Sequence, residues 1–291
     1  MKSLFIVNPR SGLRRRIDIA ALIGSHAAAG EITTCQEKEQ LDDIVRQAES
    51  SGVEAIYAVG GDGTVHEIAR RLIGTKIALG ILPLGSGNGL ARHLGIPLRI
   101  ERALEACREA DVVTIDTAAV NGEPFVGVMG AGLDAVIAER FAGSAIRGLR
   151  TYVRVGLNAF RDFAPEDFEI EIDGVRSQRR AFIVAVANSS QYGNNARIAP
   201  RASLQDGLLD VVIIEDVSLF AAPLMLLRLF NGTFRESERV KLLQGRTITI
   251  RRSAAGPAHV DGEPMIMAAE LKVDVVPQSL RVLVPKRRGQ V

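Results

Sequence analysis

Glu54-Ala55-Ile56-Tyr57-Ala58-Val59 followed by Gly60-Gly61-Asp62-Gly63-Thr64-Val65-His66-Glu67 is the stretch that decides the fold. The first six residues form an apolar run of buried-strand length, and Val65, Ile68, Ala69 and Leu72 then recur at helical spacing. A strand therefore turns into a helix across three glycines in four residues, which permits positive φ and lets a ligand approach the backbone. Thr64 with Glu67 three positions on reads as a capping box at the new helix. The amides left over at such a helix start, together with the positive end of its dipole, suit phosphate. Asp62 among them asks for a metal ion between carboxylate and phosphate. The loop thus reads as a nucleotide site with magnesium or as a sharp turn capped for stability, and by itself it does not separate the two.

On either side the same alternation continues. Strands are expected over residues 3–8, 31–34 and 76–82, and helices over 17–29, 41–51 and 99–110, which calls for a parallel sheet covered by helices. Ligands of such sheets bind beyond the carboxyl ends of the strands. Three loops leave those ends: Asn8-Pro9-Arg10-Ser11-Gly12, the Asp62 loop, and Pro83-Leu84-Gly85-Ser86-Gly87-Asn88-Gly89. Together they could enclose a triphosphate from three sides, with Arg10 and Arg14-Arg15-Arg16 as neutralising charge, although a triple arginine is more often a solvated face.

After Pro97 the pattern changes. Strands are expected over 112–120 and 125–129 around the hairpin signal Asn121-Gly122, over 168–172 and 180–187 around Asp173-Gly174, and over 208–214, 247–251, 270–276 and 280–284. Two helices, 134–142 and 148–163, interrupt them. The expectation is an α/β N-terminal domain of residues 1–117 with a returning 278–291, and a β-rich antiparallel domain of residues 118–277.

The 291 residues are 47% hydrophobic, enough for one large domain or two medium ones, and the net charge of +2 argues against a dedicated nucleic-acid binder. Cys35 and Cys107 lie far apart without metal-ligand spacing, which fits a reducing compartment and two small buried residues. The N-terminus lacks a cleavage-site pattern and reads as a first strand. Residues 219–230 are too short, and carry Pro223 and Arg228, to form a transmembrane segment; they read as a core helix, or as one that touches a membrane surface. Neither Walker nor dinucleotide spacing occurs at Asp62, and Gly130-Ala131-Gly132-Leu133-Asp134-Ala135 is a structural strand-to-helix turn, because no acid follows to hold a ribose. The histidines show no metal spacing, and His66 reads as a helix-start residue.

Gly60-Gly61-Asp62-Gly63-Thr64-x-x-Glu67, the 83–88 loop, Asn8-Pro9, Asp206-Gly207 and Asp261-Gly262-Glu263 together resemble the diacylglycerol kinase catalytic family, which includes bacterial soluble lipid kinases and sphingosine kinases. The resemblance covers nearly the whole chain. It implies a fold related to NAD kinase and 6-phosphofructokinase, and an ATP- and magnesium-dependent kinase acting on the hydroxyl of a diacylglycerol or sphingoid-type lipid. It also implies contacts to ATP from Asn8, Pro9, Arg10, Ser11, Gly12, Thr34, Gly61, Asp62, Gly63, Thr64, Val65, His66, Glu67 and Ser86, with Asp62 organising Mg2+ and phosphates. By the same resemblance Asp206, with the carbonyls of Ser203 and Leu208, would bind a structural magnesium, and Glu263, with Asp261 beside it, would accept the hydroxyl proton. His66 and Asn88-Gly89 depart from the bacterial pattern toward the sphingosine-kinase side. The implied setting is cytoplasmic, with a lipid substrate met transiently at a membrane surface and no nucleic acid; a homodimer stays open. A kinase for a soluble acceptor such as NAD and a non-enzymatic nucleotide sensor are the alternatives.

Overall fold

The structure, a computed structural model, describes residues 1–9, 19–26, 30–35, 37–142, 149–218 and 221–286. The chain divides into two compact units, Met1–Ile115 with Gln278–Val291, and Asp116–Pro277.

In the first unit the elements run β1 (Ser3–Val7), α1 (Ile19–His26), β2 (Gly30–Thr34), α2 (Gln40–Ser50), β3 (Ala55–Gly60), α3 (Asp62–Leu72), β4 (Ala78–Pro83), α4 (Gly89–His93) and α5 (Ile100–Arg108), with β5 (Asp111–Val120) leading out. The pairs β2–β1, β1–β3 and β3–β4 are all parallel. The strands β1, β3 and β4 are buried along their whole length, which is why they read as unbroken apolar runs. Phe5 stacks on Tyr57 across β1 and β3, ring centroids 4.5 Å apart. The strand order 2-1-3-4 reverses direction between β1 and β3, so the loops leaving these two strands diverge and open a crevice at their carboxyl ends. Asn8 and the Asp62 loop stand there.

The second unit continues with β6 (Glu123–Phe125), β7 (Val128–Gly132), α6 (Leu133–Ala142), α7 (Leu149–Asp162), β8 (Glu166–Ile172), β9 (Val175–Ala187), β10 (Leu209–Glu215), α8 (Ala222–Asn231), β11 (Val240–Gly245), β12 (Thr247–Arg251), β13 (Gly256–Val260), β14 (Glu263–Met267) and β15 (Glu270–Val284), the last of which belongs to the first unit from Gln278 on. The order β14-β13-β7-β9-β8-β12-β15 is antiparallel throughout, with β10 and β11 added on β9. Side chains alternate between two cores. Met129, Val184, Val186, Val211 and Ile213 join one cluster, while Val128, Ala185, Ala187, Val212 and Ile214 join another. Three hairpins close on two residues: Asn121-Gly122, Asp173-Gly174 and Asp261-Gly262. All six have positive φ, as type I′ turns require.

Four readings change. Residues 270–284 form one strand, because Pro277 and Gln278 (φ 46°) bend β15 without ending it. The strands β13 and β14 were hidden by Pro257 and Pro264, residues that normally exclude a central strand. Here β14 is an edge, and β13 meets β7 only over residues 258–260, beyond Pro257. Thr64 and Glu67 do not form a capping box: α3 begins at Asp62 with Gly61 at its N-cap, so Thr64 is already inside the helix. The core reading of residues 222–231 holds for one side of the helix only. Met225 and Leu229 pack inward, but Leu224 and Leu227 are 51% and 60% exposed.

Candidate active site

In the first unit the glycines let two loops touch backbone to backbone. A Cβ on Gly85 would lie 2.7 Å from the Cα of Gly61, which leaves no room for a side chain there, and one on Gly61 would lie 3.2 Å from the Cα of Gly85, which is tight. Leu84 N donates to Gly60 O at 2.8 Å. Asp62 completes the joint: Asn88 N donates to Oδ2 at 2.8 Å and Gly89 N to Oδ1 at 2.6 Å. Asn88, in the left-handed region, closes its own loop by accepting from Gly85 N and donating to Gly85 O. On the other side Asn8 Nδ2 donates to Thr64 Oγ1 at 3.0 Å. The N-cap of α3 is Gly61, which has no side chain to cap the helix, and such a glycine-rich helix start is the kind of place where first-turn amides meet an anion.

The structure thus brings Asn8, Gly61, Asp62, Gly63 and Thr64 together with the Gly85–Gly89 loop, on which Ser86 is exposed. Pro9 follows β1 in an exposed turn, and Thr34 ends β2 opposite Val7 in register. Arg10, Ser11, Gly12 and the triple arginine lie outside the described residues. Val65, His66 and Glu67 turn inward and are buried. Glu67 is held by Lys38 at 2.7 Å and Arg71 at 2.6 Å. Burial acts to raise its pKa, but these two cations outweigh it and hold the carboxyl below its ordinary value.

Glu67→Gln keeps the shape and removes the charge, and should cost about 1–3 kcal/mol at neutral pH by urea unfolding. The sign with pH follows from the lowered folded value. The contribution is present above the unfolded pKa near 4.5 and is lost as pH falls through the folded one, so wild-type and variant stabilities converge in acid. A gap that stays constant through that range would show that the charge is not its source.

In the second unit Asp261 and Glu263 have different surroundings. The Asp261 carboxylate crosses from the β13–β14 turn to residues 126–128: Oδ1 accepts from Gly127 N at 2.7 Å and Val128 N at 3.0 Å, and Oδ2 from Val126 N at 3.0 Å. A Cβ on Gly127 would stand 2.7 Å from Oδ1, so the glycine there admits the carboxylate. Asp261 is thereby a fixed anion that shapes the turn. Glu263 opens β14 opposite Val260, half-buried, and no side-chain partner holds it among the described residues.

Nearby in sequence, His259 Nε2 lies 3.3 Å from Asp134 Oδ2, which also accepts from Tyr192 OH at 3.1 Å. This triad, buried at Asp134 and His259 and half-buried at Tyr192, was invisible in the sequence, since its members are 58 to 125 residues apart. Arg252 is a second buried group that periodicity missed. It donates to the carbonyls of Gly256, Pro257, Met267 and Ala268 and so ties together the two ends of the β13–β14 hairpin.

The 203–210 segment is anchored by buried Asp116, whose N donates to Leu204 O at 2.7 Å and whose Oδ2 accepts from Gly207 N at 2.8 Å. Asp206 is exposed and accepts from Leu208 N at 3.1 Å. Burial pushes the Asp210 carboxyl up to about 6, and the charge of Asp206 adds to the effect. Among the described residues no three His, Cys, Asp or Glu side chains cluster as metal ligands. A site here would therefore rest on one carboxylate with carbonyl oxygens and water, a hard-oxygen set that suits magnesium or calcium.

Residues 2–120 match the family model of the diacylglycerol kinase catalytic domain, and residues 127–284 that of the YegS C-terminal NAD kinase beta sandwich-like domain. A relative from Citrobacter koseri named "Probable lipid kinase YegS-like" is 28% identical over 97% of this chain and 96% of its own length. Of solved structures, a diacylglycerol kinase from Bacillus anthracis str. Sterne is similar with a TM-score of 0.75 at 20% identity, covering 98% of this chain and 97% of that one. An NAD kinase from Archaeoglobus fulgidus in complex with ATP gives 0.55 at 13% identity, over 99% and 95% of the two chains. The two structural likenesses concern the fold: an α/β unit of parallel strands followed by a β-rich antiparallel one.

Proposed function

Since the chain belongs to the diacylglycerol kinase family and carries both its catalytic domain and the YegS-type C-terminal domain, we propose that it transfers the γ-phosphoryl group of ATP to the hydroxyl of a diacylglycerol or sphingoid-type lipid. The observation that carries the reading is the contrast between two carboxylates, Asp261 spent on three backbone amides and Glu263 left for chemistry.

The first unit holds the nucleotide. Phosphate oxygens take the amides at the start of α3, where Gly61 and Gly85 leave the backbone uncovered, and Asn8, Thr64 and Ser86 add side-chain donors. Asp62 keeps the two loops at one spacing, so the phosphates meet a preformed cradle. As a hard-oxygen ligand beside that cradle, its carboxylate would also face a magnesium ion. Bound magnesium would neutralise charge on the phosphates. In the second unit Glu263 accepts the hydroxyl proton as the lipid oxygen bonds to the γ-phosphorus and the bond to the β–γ bridging oxygen breaks, releasing ADP. Asp206, with the carbonyls of Ser203 and Leu208, would hold a second, structural divalent cation, and its charge would offset that of the neighbouring Asp210.

Purified protein should label a lipid from radiolabelled ATP and magnesium when offered diacylglycerols, sphingoid bases and soluble acceptors in parallel. Label on NAD or another soluble acceptor alone, or on none while ATP still binds, would sink the reading. For the structural cation, magnesium should raise the melting temperature of the wild type and not that of Asp206→Ala; equal shifts would remove the metal from this segment.

A further inference from the structure

We propose that Asp134, His259 and Tyr192 are positioning residues for the Glu263 carboxylate, an inference that rests on the kinase reading with Glu263 as proton acceptor. Asp134 and His259 are 4% and 2% exposed, and Tyr192 packs against the apolar cluster of Val128, Ala185 and Ala187. His259 Nε2 and Tyr192 OH converge on one oxygen, Asp134 Oδ2, at 3.3 and 3.1 Å. With its proton on Nε2 the imidazole donates to the carboxylate, and Nδ1 is buried with no partner among the described residues. The backbone opposite makes room for the pair: a Cβ on Gly130 would collide with Asp134 Oδ2 and stand 2.7 Å from His259 Nε2. Apolar side chains of similar volume would fill this space without the cost of burying an imidazole and a carboxylate. Stability alone therefore does not call for the network.

What the network holds is the strand pair that carries Glu263. The edge strand β14 pairs with β13, and its second residue, Pro264, has no N–H to give to the ladder. Pro264 stands opposite His259 in register, one residue beyond the Val260–Glu263 pair, and on its other side His259 stands opposite Gly130 of β7. Asp134 lies in the first turn of α6, and α6 packs on both β13 and β14. His259 is thus the point at which a helix and a loop are bonded to the hairpin. The loop that brings Tyr192 is itself tied to the segment that Asp261 grips, since Asn188 N and Ser189 N both donate to Gly127 O, at 2.9 and 3.0 Å. The hairpin is fastened twice, by Asp261 at its turn and by His259 behind it. Glu263 has no side-chain partner of its own among the described residues, so its carboxylate takes its place from this backbone. A displacement of about 1 Å at a reacting group can cost about a hundredfold in rate.

The experiment compares His259→Leu, His259→Gln and Tyr192→Phe in steady-state lipid phosphorylation, each below its own melting temperature. Leucine fills the space and donates nothing. Its kcat should fall about tenfold to a hundredfold, while KM for the lipid and the calorimetric affinity for ATP stay within about threefold of wild type. Glutamine can return a donor near the Nε2 position and should bring kcat back to within about threefold of wild type. Tyr192→Phe removes one hydroxyl at the half-buried edge of the network, so it answers the question even if the leucine variant does not fold; kcat should drop about threefold to tenfold. Without any substrate, hydrogen exchange of the β14 amides should quicken at least about tenfold in His259→Leu, relative to the amides of β10. Folded leucine and phenylalanine variants with wild-type kcat overturn the proposal. So does a glutamine variant as slow as the leucine one, a loss confined to the lipid KM, or unchanged exchange in β14. Failure of the wild type to phosphorylate any lipid overturns the proposed function instead, and exchange still decides whether the network holds the hairpin.

Discussion

Glu263→Gln should lose about two to four orders of magnitude in kcat, the usual contribution of a positioned general base, while nucleotide affinity measured by titration calorimetry stays at the wild-type value. The substitution leaves the shape of the side chain and removes only its ability to take a proton. Glu263 lies in the second unit, away in sequence from every loop assigned to ATP, so a change in nucleotide binding is not expected. Asp261→Asn should behave differently. Its carboxylate accepts from three backbone amides, and an amide side chain would turn an NH2 donor toward at least one of them. Loss of stability alongside activity is therefore the signature of Asp261, and loss of kcat alone that of Glu263. If Glu263→Gln retained wild-type turnover and Asp261→Asn lost turnover without melting earlier, the two roles would have to be exchanged.

Asp62→Asn is the second large effect. Each oxygen of Asp62 accepts a backbone N–H from the opposing loop, at 2.6 and 2.8 Å. Hydrogen bonds to a charged acceptor contribute about 1.5–3 kcal/mol each. In asparagine one oxygen becomes an NH2 group facing an N–H, so one bond is lost and a repulsive contact replaces it. A stability loss of about 2–4 kcal/mol is expected, measured by denaturant unfolding. Nucleotide binding should fall with it, because the phosphate cradle depends on the spacing of two loops that already touch at Gly61 and Gly85. Gly85→Ala should reproduce the binding defect with the carboxylate intact, since its methyl group meets the Cα of Gly61. An Asp62→Asn protein with wild-type stability and ATP affinity would remove the joint from the mechanism.

Local chemistry was legible in the sequence wherever the determining residues are neighbours. The apolar run before Gly60, the helical spacing after it and the Asx-Gly pairs at 121, 173 and 261 determined an α/β part with parallel strands and a β-rich antiparallel part, because burial period and turn conformation are set within a few residues. The order of motifs along the chain likewise determined the family. Readings failed where a local rule was overruled from a distance. Thr64 and Glu67 have the spacing of a capping box, yet Asn8 takes the hydroxyl and Lys38 with Arg71 take the carboxylate. Pro257 and Pro264 look like strand breakers, yet an edge position tolerates them.

Residues 219–230 are apolar enough to suggest a core helix, and only packing decided which side of α8 is left in solvent. The different surroundings of Asp261 and Glu263 belong to the same class. Two carboxylates flanking a glycine are alike in sequence. What separates them is a loop 133 to 135 residues away that presents three amides to one and none to the other, a pairing that exists only once the chain has folded.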